Sequence, residues 1–96
     1  MTQAFIAEVD KVIARYEQFS GHAAARTRQM IERYGEVNAL SRLMATADLQ
    51  QGFKVLRDNG QLEYSFEALV VRFRHMFTSD AVKAAQWRLA HPYDLL

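Results

Sequence analysis

The chain has 96 residues, of which 50% are hydrophobic, a formal net charge of +1 and no cysteine. That length suits one compact domain, and so even a charge balance gives no global field to draw the chain onto nucleic acid or an anionic membrane. The missing thiol removes disulfides, thiolate nucleophiles and zinc–thiolate sites together. No apolar run approaches the roughly 20 residues needed to span a bilayer. The N-terminal stretch MTQAFIAEVDK lacks a basic region followed by an apolar core, so no secretion signal is expected. These features predict a soluble, cytoplasmic protein with no membrane association.

From Thr2 to Phe19 the pattern is helical. Phe5, Val9, Val12, Tyr16 and Phe19 form a stripe that Ile6 and Ile13 widen. The spacing resembles a heptad seam but is too short to argue a coiled coil, so packing in cis and packing across a dimer both stay open. Ser20-Gly21 breaks this helix. A second helix is expected over His22 to Tyr34, with Ala23, Thr27, Met30, Ile31 and Tyr34 inward and Gly35 in the left-handed position at its end. A third, from about Glu36 to Ala45, buries Val37, Leu40, Leu43 and Met44. Thr46 or Asp48 then caps a fourth, whose inner face is Leu49, Phe53 and Leu56 and which stops at Asn59-Gly60. Gly52 within it fits close helix packing, and Gln61 to Tyr64 reads as an extended connector.

The most apolar stretch is SFEALVVRFRHMF, from Ser65 to Phe77. Ser65 is a good N-cap, and Phe66, Leu69, Val70, Phe73 and Phe77 share one helical face. Only Glu67, Arg72, Arg74 and His75 are left to meet water, which marks a helix touched on several sides. Thr78-Ser79 caps a last helix from Asp80 to about Ala90, with Val82, Ala85, Gln86 and Leu89 on one face and Trp87 well off it. Pro92 ends it and pushes His91 toward an extended conformation.

The predicted fold is therefore all-α: a compact bundle of five to six short helices around a central helix near residues 66–77, in one domain spanning 1–96. Residues 1–33 supply the N-terminal helices and a candidate association arm, 34–91 a helical module, and 92–96 an apolar tail.

The search for chemistry returns little. His22, His75 and His91 are far apart in sequence, and no metalloprotease, phosphate-loop or nucleophile-elbow motif is present. Catalytic residues, metal ligands and cofactors are accordingly not expected. Arginine outnumbers lysine nine to three. Arg26, Arg28 and Arg33 on the second helix and Arg72 and Arg74 on the central one are candidate phosphate contacts. The third and fourth helices form a helix–turn–helix candidate that offers Gln50, Gln51, Lys54, Arg57 and Asp58, though without a glycine at its turn. Candidate protein-interface residues are Phe5, Val9, Val12 and Tyr16 on the first helix, then Trp87, Leu95 and Leu96.

One resemblance covers a little over half the chain, roughly Tyr34 to Leu89. Its elements are Tyr34-Gly35, Gly52-Phe53, Leu56, Gly60, Leu62, Glu67-Ala68-Leu69-Val70, Phe77 and Arg88-Leu89. This run resembles a small helical module of bacterial proteins, found in short chains and in the C-terminal parts of longer ones. The resemblance implies a portable helical unit and brings no activity or ligand with it. The sequence thus points to a non-catalytic interaction module or small regulator. It would self-associate as a homodimer or dock on a larger bacterial or phage-associated protein. The alternative is a helical DNA- or RNA-associated regulator using the arginine clusters. A pocket for a small apolar ligand among the aromatics is a further class that periodicity does not address.

Overall fold

The N-terminal stripe turns inward onto its own chain. The computed structural model describes residues 2–46 and 51–94. In it α1 (Thr2–Ser20) buries Phe5, Val9, Val12 and Ile13, none more than 4% exposed. The dimer seam through Phe5, Val9 and Val12 is thereby corrected to an internal contact, and α1 is part of the core rather than an arm. It packs against α4 (Gln51–Asp58) and α5 (Phe66–Arg72). In chain order α2 (Ala25–Tyr34) and α3 (Glu36–Ala45), packed on each other, follow α1, and α6 (Ser79–Ala90) closes the bundle against α5 and α3. The described residues contain no strand.

Local sequence chemistry sets most of the boundaries. Ser65 (φ −80°, ψ 162°) caps α5: its hydroxyl accepts from the Ala68 N–H at 3.2 Å and donates to the Leu62 carbonyl at 2.7 Å. Thr78 does the same for α6, accepting from the Ala81 N–H at 3.2 Å. Gly35 joins α2 to α3 alone. Its φ of 81° with ψ of 166° differs from the left-handed helical conformation expected and lies in a region open essentially to glycine. In that conformation its N–H closes α2 on the Ile31 carbonyl, while its own carbonyl accepts from Ala39 to start α3. At the end of α4, the Gln61 N–H bonds the Leu56 carbonyl and the Gly60 N–H that of Arg57, the paired pattern of a Schellman stop.

Several expectations change. Residues 22–24 precede α2 instead of belonging to it. The Thr46 hydroxyl donates back to the Arg42 carbonyl at 2.7 Å at the end of α3; Asp48, Leu49 and the cap of α4 lie outside the described residues. Residues Leu62–Tyr64 form a 3-10 turn rather than an extended connector. The central helix is also shorter than predicted: α5 ends at Arg72, followed by a 3-10 turn, Arg74–Met76, and an extended Phe77. The β-branched and aromatic run around Val70, Val71 and Phe73 gives weak helical preference, and the turn replaces periodicity in placing the last rings. Phe73 and Phe77 are only half-buried, yet both meet the Phe5 ring edge-on, at centroid distances of 5.1 and 5.9 Å.

Leu69 and Val70, both 0% exposed, are the centre of the core, facing Ala81 and Ala85 of α6 among others. Small residues at these two positions let α5 and α6 approach closely. Leu69→Ala should therefore cost about 2–5 kcal/mol, read from the urea midpoint. Val9→Glu should abolish cooperative melting of the helical circular dichroism instead of yielding a folded monomer. A folded, cooperative Val9→Glu variant would show that the α1 stripe is not core.

Candidate interaction surface

The buried face of α6 is not the one periodicity suggested. Ala81, Ala85 and Arg88 point inward, whereas Gln86 is exposed and Val82 and Leu89 are half-buried. Arg88 accounts for the rotation. Its Nη1 donates to Glu67 Oε2 at 2.9 Å and to the Leu43 carbonyl at 3.1 Å, and its Nη2 donates to the Met44 carbonyl at 3.0 Å. One guanidinium thus neutralises a buried carboxylate and satisfies two carbonyls in the last turn of α3 that the helix leaves unpaired. Glu67, expected in water, is 4% exposed, and Arg88 is 6% exposed. Burial pushes the Glu67 carboxyl above its ordinary value, while Arg88 pulls the other way. Desolvation is the larger influence, because so little water reaches the group.

With Arg88 turned in, Trp87, one residue or about 100° earlier on the helix, turns out. It is 48% exposed, and its ring stacks on His91 at a centroid distance of 4.6 Å and an interplanar angle of 22°. His91 Nδ1 in turn lies 2.9 Å from the Trp87 carbonyl. Beyond it, Arg57 donates to the Pro92 carbonyl at 2.8 Å and sits 5.0 Å from the Tyr93 ring, which ties the tail back to α4. Tyr93 itself is 75% exposed. Leu95 and Leu96 lie outside the described residues.

The remaining candidate residues scatter. Tyr16 is half-buried, with its ring over Gly52, where a Cβ would meet it at an ordinary 3.6 Å. Arg28 is held by Glu17 at 2.7 Å, and Arg72 by Glu8 at 3.0 Å. Arg33 lies 5.4 Å from the Tyr34 ring. Arg26 and Arg74 are exposed. Lys11 and Arg72 hold the Glu8 carboxyl below its ordinary value, and Arg28 with the Ala24 N–H does so for Glu17. Of the helix–turn–helix candidate, α4 packs chiefly on α1 and Arg57 is engaged by Asp58 and Pro92; Ala47 of its turn and Gln50 lie outside the described residues. The three histidines are exposed, and no group of three or more His, Asp or Glu among the described residues could hold a metal ion. No described helix is long and apolar enough to cross a membrane.

The chain matches no family model, no curated protein and no solved structure. Trp87 stands off the core face as its position in the sequence suggests, whereas nothing in the sequence marks the Glu67–Arg88 pair. An arginine one residue from a tryptophan carries no signal of burial, and its partner is 21 positions away.

Arg88→Met should cost about 3–5 kcal/mol, because it leaves a buried carboxylate unpaired and two carbonyls unmet. Glu67 also fixes the sign of a pH effect. Its raised folded-state pKa means the native chain binds that proton more tightly than the unfolded chain. Its contribution is fully present below the unfolded value and is lost as pH rises through the folded one. On going from pH 7 toward 5, the wild type should gain urea stability relative to Glu67→Gln, which cannot titrate. A gap that is constant or shrinks on acidification would mean that Arg88, not burial, governs the group.

Proposed function

We propose that the protein is a non-catalytic interaction module that docks on a partner protein through the outer face of α6. The observation that carries this reading is Trp87: a large indole, half in water, on a helix whose rotation is fixed from inside by Arg88. Tryptophan is enriched among residues that dominate binding energy, since it brings much contact area on few rotatable bonds. The stack on His91 restricts the ring before a partner arrives, which lowers the ordering cost of association. Tyr93, 75% exposed beyond the end of α6, is a second aromatic ring open to a partner.

The partner is a larger protein or a second copy of this chain. A homodimer built this way would use the α6 face, since Phe5, Val9 and Val12 are consumed by the core. The nucleic-acid alternative has weaker support, because Arg28 and Arg72 are engaged by carboxylates.

Trp87 is the one tryptophan in the chain, so it reports on its own surroundings. Capture from native lysate should recover a partner with the wild type and lose it with Trp87→Ala, a surface change expected to leave the melting temperature within a few degrees. If the partner is a second copy, tryptophan emission should shift to the blue with rising concentration, in step with a sedimenting dimer. Equal recovery by both proteins, together with a wild type that stays monomeric and unshifted across micromolar concentrations, would sink the proposal.

A further inference from the structure

A cavity of about 220 Å³ opens between the C-terminal half of α1, the start of α2, the end of α3, α4 and the first turn of α5. Its walls include Val12, Tyr16, Met44, Phe53 and Phe66. An engineered cavity of about 150 Å³ with wholly apolar walls is large enough to take up benzene. The space here is larger and reaches the surface. Water within it meets mostly carbon, so its displacement by an apolar body is favourable. Gly52 also lines the cavity, with the Tyr16 ring lying over it.

The ends of the cavity differ in charge. At the inner end Glu67 is already neutralised by Arg88 at 2.9 Å, so it presents no free anion to an occupant. At the rim stands the exposed Arg26, which makes no ion pair among the described residues. Its neighbour Arg28, by contrast, is held by Glu17. An available guanidinium beside an aromatic-lined space matches a ligand with a flat apolar body and one anionic end.

We propose that this cavity is a binding site for a small aromatic carboxylate, its ring among Tyr16, Phe53 and Phe66 and its carboxylate toward Arg26. The site is separate from the α6 face, and neither proposal depends on the other.

Sodium benzoate and toluene serve as probes, with two-dimensional NMR of the full chain as the readout. Benzoate should give saturable shifts concentrated on Tyr16, Met44, Phe53 and Phe66. Arg26→Gln, an exposed change that should leave the fold intact, should weaken benzoate about three- to fivefold while leaving toluene affinity unchanged. Absence of saturable binding by either probe, or shifts spread over the surface away from these residues, would overturn the site. Equal affinities of the wild type and Arg26→Gln for benzoate would overturn the assignment of the anionic end.

Discussion

The rest of the structure depends on one buried guanidinium. Arg88 reaches from the last turn of α6 to Glu67 in the first turn of α5 and to the carbonyls of Leu43 and Met44 at the end of α3. Each contact is electrostatically matched. A carboxylate near the start of α5 meets the positive end of that helix, and a cation at the end of α3 meets the negative end of another. Taking both charges from water costs several kcal/mol per ion before their attraction is counted. The pair is therefore weak evidence for net stability. Its clearer consequence is geometrical: three helices are fixed in angle and rotation by hydrogen bonds that have direction, which apolar contacts lack.

That rotation has a consequence at the surface. Neighbouring residues on a helix point about 100° apart, so the burial of Arg88 fixes where Trp87 and, one turn later, His91 emerge. A ring held on a rigid helix is a better docking element than one on a loose tail, because less freedom remains to be lost on binding. The core residues of α6, Ala81 and Ala85, are small enough that the helix can sit close while turning this face outward. Stability and the candidate interaction surface are thus coupled through one side chain.

A second long-range anchor works at the other end of the bundle. Glu17, near the end of α1, accepts from the Ala24 N–H at 2.7 Å and from two nitrogens of Arg28, at 2.7 and 3.1 Å. It thereby satisfies the backbone N–H of Ala24, the residue that leads into α2 and whose own side chain makes no cap. The arginines on which a phosphate-binding reading rested are, at positions 28 and 72, employed in holding helices together. Arginine richness here reflects in good part internal bookkeeping of charge.

Much of the fold was legible in the sequence because it is local. Ser65 and Thr78 specify caps by their own hydroxyls, Gly35 and Asn59-Gly60 mark stops, and the apolar spacing of α3 places Leu40, Leu43 and Met44 inside. Tertiary structure decided what depends on pairing. The stripe of Phe5, Val9 and Val12 has the same periodicity whether it faces a partner or its own chain; α4 and α5 cover it here. The helical register of Phe73 and Phe77 gave way to a turn that brings both rings onto Phe5, a residue near the other end of the chain. Glu67 and Arg88 look like surface residues to any reading based on hydropathy. They are buried because each offsets the other's charge, and that relation exists only once α5 and α6 have packed.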